Sequence, residues 1–276
     1  MNILNRFTSI ARVLDPRYPT NRAVLLLLPA AAGIAGAMAL LRGSVLPEIA
    51  LSALFGVAAA VAGWAFAREL APDLERLAFL SLLLTLGAFL TVESSSLLLL
   101  FTAQFLVRIV NRSVGLPARI VDSAFVAGLT VWATWSGPFP GLGLIGALAF
   151  GLDASMTEPF RRHWIFAGIC LAAAGLSLRG QGQWWFPESL SANAAGLLLI
   201  VAVAYGLTMW RTRRVKSPAD VGGKPLSSAR VLAGMAVGLL AGMQALARGQ
   251  AGLEAAALVW AVLASVPLGA LVWPRR

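Results

Sequence analysis

The chain has 276 residues, of which 59% are hydrophobic and only 12% charged, and its formal net charge is +10. A soluble domain carries roughly a quarter charged residues, so one water-facing core cannot hide this much apolar surface and lipid is the implied solvent. The basic residues lie between apolar runs, where they orient a membrane protein; nucleic acid is excluded as a partner.

Taken in order, residues 1–22, MNILNRFTSIARVLDPRYPTNR, are polar and basic. They hold no apolar region followed by a small-residue cleavage site, so they read as a cytoplasmic segment rather than a signal peptide. Ten candidate spans follow, at 23–41, 45–67, 77–92, 94–110, 120–136, 138–153, 164–178, 194–210, 231–247 and 255–273. A helix needs ~17–20 apolar residues to cross ~30 Å of hydrocarbon, which makes the third, fourth and sixth short. Charge decides the threading. With ten spans and the N-terminus inside, 19 of the 22 Lys and Arg face the cytoplasm, and only Arg42, Arg179 and Arg248 lie outside. If 77–107 were one long helix, everything after it would flip, leaving 8 inside and 14 outside. The positive-inside bias rejects that, so LTVESSSLL turns at the outer face around Glu93.

Backbone polar groups in lipid must be bonded within their own segment, and no ten-residue alternation suggests a barrel. The expectation is an all-α, polytopic membrane bundle of about ten helices in five hairpins, both termini cytoplasmic. It comprises one domain over 23–273 with a cytoplasmic loop at 211–230 and a tail at 274–276. The expected location is the plasma (inner) membrane.

Two outer turns resemble each other. ALLRGSVLPEIAL (39–51) and ALARGQAGLEAAA (245–257) each place Arg-Gly after an apolar run and a Glu six residues beyond the Arg, at Arg42 and Glu48, then Arg248 and Glu254. Gly closes one helix, Arg snorkels, and Glu suits the start of the next. The ninth span carries Gly234, Gly238 and Gly242 at four-residue spacing, a strip that lets another helix approach closely.

Ionisable residues within spans are functional candidates by default. Asp122, one turn after Arg119, reads as an interfacial ion pair or a cation or proton site, and Gln104 and Gln244 are candidate solute contacts. Arg108, Arg112 and Arg119 in RIVNRSVGLPARIVD are candidates for an anionic headgroup. Trp184, Trp185 and Glu188 form a candidate outer-face interface. His163, the sole histidine, reads as a solvated loop residue, and one His without Cys or close carboxylates makes no metal site. Cys170, the only cysteine, forms no intramolecular disulfide. No cofactor is named by any pattern, and no motif of metalloprotease, nucleophile-elbow or phosphate-loop type occurs.

Three functions fit, in this order: a transporter or permease for a small or amphiphilic solute; a non-catalytic subunit or scaffold docking a membrane-protein partner or a second copy; and a lipid-modifying enzyme using Asp122 with Arg108 and Arg112. The reading leans away from an enzyme. A cavity inside the bundle reaching Gln104 or Gln244 would favour passage; a dry bundle would favour scaffolding.

Overall fold

The structure is a computed structural model that describes residues 8, 10, 14–181, 190–212, 214–221 and 223–273. Its helices are α1 (Pro19–Leu41), α2 (Leu46–Leu70), α3 (Leu77–Thr91), α4 (Leu97–Asn111), α5 (Ile120–Ser136), α6 (Leu142–Ser155), α7 (His163–Gln181), α8 (Ala192–Arg211) and α9 (Ser228–Ala245). A 3-10 turn (Leu246–Arg248), the short α10 (Gly249–Ala255) and α11 (Ala257–Val272) follow. Among the described residues there is no strand, only an isolated bridge between Pro218 and Pro225. Each apolar run of the sequence falls on one of the ten longer helices. Four segments are long and apolar enough to cross a membrane: Pro19–Leu41, Leu46–Leu70, Ala192–Arg211 and Ser228–Ala255. The other apolar helices are shorter.

Local chemistry sets the helix starts. Pro opens α1 near its first position, where the missing N–H has no helical partner anyway. Glu48 Oε2 accepts the Val45 N–H at 3.2 Å at the start of α2. Ser96 and Ser191 cap α4 and α8 by accepting from Leu99 and Ala194. Each side-chain cap satisfies a donor that the first helical turn leaves without a partner.

The repeat of the turns at Arg42 and Arg248 is only half regular. Gly43 and Gly249 both take positive φ, at 80° and 55°. Glu48 starts its helix, whereas Glu254 lies near the end of α10 and accepts from Ser94 at 3.0 Å and Gln250 at 3.0 Å. Arg42 donates through Nη2 to the Leu90 carbonyl.

Three of the five expected hairpins pack on themselves, α1 with α2, α5 with α6 and α9 with α11, whereas α3 with α4 and α7 with α8 do not pack extensively among the described residues. The most extensive pairs are α2 with α3, α1 with α2, α6 with α7, α3 with α11, and α4 with α9. Gly63 explains the first: a Cβ there would stand 2.3 Å from Thr85 Oγ1, and Ser81 Oγ donates to the Gly63 carbonyl at 2.9 Å. α4 is the central helix, with eleven of its fifteen residues buried. α8 is the most peripheral long helix, burying only Leu198 and Tyr205. The glycine strip of α9 faces three neighbours: Gly234 abuts Asn111 of α4, Gly238 abuts Leu70 of α2, and Gly242 abuts Leu263 of α11. Cys170 is fully buried against Gly143 and Gly146.

Helix ends gather in two groups. One holds the start of α1, the ends of α2, α4 and α6, and the starts of α5, α7 and α9, tied by side-chain bonds described below. The other joins the end of α1 to the end of α3 through Arg42, and the turn before α4 to α10 through Ser96 N–H donating to the Ala255 carbonyl at 2.9 Å. The chain therefore runs up and down.

Candidate functional site

Polar residues at the first of these ends fall into two adjoining groups. The first centres on Asp153, near the end of α6, whose side chain is fully buried. Arg112, just past the end of α4, binds it with both Nε and Nη2, at 2.7 and 2.8 Å. Arg230, in the first turn of α9, donates through Nη1 at 2.6 Å. His163, the first residue of α7, places Nδ1 2.7 Å from the other carboxylate oxygen. Backbone carbonyls take further guanidinium donors. Arg112 donates to the Glu158 carbonyl at 3.0 Å, and Arg230 to those of Val110 at 3.0 Å and Thr157 at 2.7 Å. Glu158 adopts φ +58°. Forked, charge-assisted bonds of this kind are the strong ones, and this one clamps four helix ends together.

His163 Nε2 stands 2.8 Å from Ser123 Oγ, so Asp153, His163 and Ser123 form a chain in the order of a hydrolase relay. A relay needs its serine at a cavity. Here all three side chains are fully buried, and none lines the cleft between α1, α2 and α4. Two guanidiniums also hold the carboxylate. The three side chains tie α5, α6 and α7 together.

The second group surrounds a cleft of about 810 Å³ between α1, α2, α4 and residues 217–221, 223 and 226 of the connection between α8 and α9. This volume lies within the ~300–1,000 Å³ of small-molecule sites. Val61, Trp64, Ala65 and Gln104 line it deepest, judged by their distance along the helices from the polar end. Val61 lies eight residues before Glu69, about 12 Å at 1.5 Å per residue. Next come Arg68, Glu69 and Arg108, and toward the mouth Asp15, Glu75 and Asp220. Arg108 Nε binds Glu69 Oε1 at 3.0 Å and its Nη1 donates to the Ile10 carbonyl at 2.7 Å. Asn111 Nδ2 donates to the Glu69 carbonyl at 2.8 Å. Arg68 lies over the Trp64 ring, 5.1 Å from its centroid, and reaches Asn21 at 3.4 Å.

Gln104 and Trp64 are 4% and 5% exposed, yet the Gln104 Oε1 and Trp64 Nε1 atoms find no hydrogen-bond partner among the described residues. Buried polar atoms are normally satisfied, so two such atoms lining one cleft mark a place where an additional group is needed.

A strap covers the mouth. Asp73 accepts from the Lys216 N–H at 3.0 Å, the Ser217 N–H at 2.8 Å and the Ser217 hydroxyl at 2.7 Å. Farther on, the Asp220 and Val221 N–H groups donate to the Ser113 and Val114 carbonyls at 3.2 and 3.0 Å. Gly115 sits beneath with φ +93°, where a Cβ would lie 2.6 Å from the Val221 carbonyl oxygen.

The sequence candidates land as follows. Gln104 lines the cleft; Gln244 does not, and donates within its own helix to the Ala241 carbonyl at 3.2 Å. Asp122 is buried and accepts the Thr8 hydroxyl at 2.7 Å and the Arg119 N–H at 3.4 Å. Arg108 and Arg112 each bind an internal carboxylate. Trp184, Trp185 and Glu188 lie outside the described residues. His163, expected in a solvated loop, is instead fully buried. Sequence reasoning passed over Glu69, Trp64, Asp73 and Asn21. Glu69 carried a signal: it adjoins Arg68 within one turn of a span end, where an acid needs a partner. No known protein family, curated protein or solved structure matches this chain.

Proposed function

We propose that the chain is a membrane carrier of ten spans, with both termini on the cytoplasmic side of a plasma (inner) membrane, and that the cleft is its solute site. The observation that carries this reading is the 810 Å³ cleft reaching Gln104 between α2 and α4, with buried polar atoms of Gln104 and Trp64 lacking partners among the described residues. The alternation of helix ends supports the threading, since every tie between ends joins groups that ten antiparallel spans put on one face. The short helices fit because turns and snorkelling basic side chains extend a span at little cost. The cleft opens on the face carrying most of the basic residues, so the state described is open to the cytoplasm.

The rival reading, a subunit that docks a partner chain, draws on α8. Its Leu197, Leu199 and Ile200 are exposed. Lipid covers such a face equally well, and docking gives the cleft no role.

The test is a panel of small cations, zwitterions, anions and neutral solutes. Each is screened for a melting shift of the purified protein and for exchange across proteoliposomes. The carrier reading expects one class to do both. A stoichiometric partner chain surviving mild detergent extraction, with no solute shifting the melt and none exchanged, would favour the scaffold.

A further inference from the structure

Gln104 and Trp64 sit at one level of the cleft. α2 and α4 run in the same direction and finish in the same group of helix ends, where Glu69 and Arg108 meet at 3.0 Å. Trp64 stands five residues before Glu69 and Gln104 four before Arg108, about 7.5 and 6 Å back along the two helices at 1.5 Å per residue. Both side chains are buried, and both line the cleft. Among the described residues Gln104 Oε1 is an acceptor without a donor, and Trp64 Nε1 a donor without an acceptor. The indole N–H lies in the plane of its ring, at the edge, so the Arg68 guanidinium over the ring face does not engage it.

The charged groups one turn nearer the mouth are already engaged. Arg108 binds Glu69 and the Ile10 carbonyl, and Arg68 holds Asn21 and the indole face. The deeper wall of Val61, Trp64, Ala65 and Gln104 carries no charge. A charged ligand group placed there would lose its hydration without gaining a counter-ion. An uncharged group that gives one hydrogen bond and takes one satisfies both unpaired atoms at once. A carboxamide does this, since it carries an N–H donor and a carbonyl acceptor side by side.

We propose that the deep end of the cleft binds an uncharged carboxamide or urea group on a small apolar body. Its N–H meets Gln104 Oε1, its carbonyl accepts from Trp64 Nε1, and its body lies beside Val61 and Ala65. The inference names a solute class for the carrier reading and rests on that reading for its biological sense, but it is a statement about binding.

Four near-isosteric probes are titrated calorimetrically into the full-length purified protein: benzamide, acetophenone, benzoate and benzamidinium. Acetophenone keeps the carbonyl of benzamide and replaces its amide nitrogen by a methyl group. Benzamide is expected to raise the melting temperature and to bind at least roughly fivefold more tightly than acetophenone, which leaves the buried Gln104 acceptor unpaired. It is expected to bind at least about tenfold more tightly than either ion, neither of which finds a counter-charge at that depth. Gln104→Leu is expected to abolish this binding and Trp64→Phe to weaken it several-fold. Each removes a polar atom without a partner among the described residues, so the ligand-free melt is retained. Gln244→Leu, the same replacement at a span glutamine outside the cleft lining, is expected to leave benzamide binding unchanged. Equal affinity for acetophenone, tighter binding of either ion, no binding of any probe, or benzamide binding that survives both cleft replacements overturns the proposal. The ranking of the four probes on the unaltered protein decides it even where a variant fails to fold. Benzamide binding without exchange of any solute across proteoliposomes removes the carrier and leaves the amide site. Exchange of another solute with no benzamide binding removes the amide site and leaves the carrier.

Discussion

At the scale of single residues, Asp153 and Gln104 are opposite cases of buried polarity. Asp153 has more donors than it can share evenly: a bidentate guanidinium, a second guanidinium and an imidazole nitrogen, all within 2.8 Å. Removing one partner of a buried ionic network leaves uncompensated charge and costs about 3–5 kcal/mol. Asp153→Asn is therefore expected to lower the melting temperature of the detergent-solubilised protein sharply or to abolish the folded fraction; an unchanged melt would mean the clamp contributes nothing. Gln104 is under-satisfied instead. Replacing a buried acceptor that lacks a partner by an apolar group of similar shape is neutral or stabilising, so Gln104→Leu is expected to keep or raise the ligand-free melting temperature while abolishing solute-dependent shifts. A loss of stability would show that Gln104 holds the fold rather than a ligand. Gln104 was legible in the sequence because an uncharged polar residue inside an apolar run stands out. Asp153 and His163 were not: a clamp whose members come from four helices leaves no local spacing, and each member alone looks like an ordinary charge at a span end.

At the scale of elements, the strap is the part whose docking is most local. It hangs on the Asp73 carboxylate and on two backbone bonds to residues 113 and 114. Gly115→Ala puts a Cβ 2.6 Å from the Val221 oxygen at φ +93°, a conformation costing roughly 1–2 kcal/mol for a residue other than glycine. Gly115→Ala and Asp73→Ala are both expected to speed tryptic cleavage after Lys216, with little change in global melting. Equal cleavage rates would show that the strap is held by other contacts. The helices themselves were readable from apolar runs bounded by Pro, Gly and Arg, because a span announces itself by length and composition. Their partners were not. The repeated Arg-Gly turns suggested hairpins, yet α3 packs on α2 and α11 rather than on α4. Side-chain size at particular faces, such as Gly63 against Thr85, decides who packs with whom, and that is invisible to a repeat of turn residues.

At the scale of the whole molecule, the positions of 22 basic residues predict a threading; the structure shows an all-helical chain whose helix ends gather in two groups, with four segments long and apolar enough to cross a membrane. The cleft is a consequence of that arrangement, since α1, α2, α4 and the strap meet only if their polar ends share a face. The sequence could say that a cavity reaching Gln104 or Gln244 would favour passage, but the acids lining the cleft come from segments far apart in the chain, and only the fold brings Asp15, Glu69 and Asp220 together. The most direct measurement combines threading and cleft in a Cys170→Ala background. Single cysteines are placed at Ala65, half-buried in the cleft wall, and at Glu93, exposed in the opposite turn. A membrane-impermeant maleimide is applied to vesicles of each orientation. The account expects Ala65→Cys to react when the cytoplasmic face is outward and Glu93→Cys only when the other face is outward. Reaction of both from the same side, or Ala65→Cys inert from both, would contradict it.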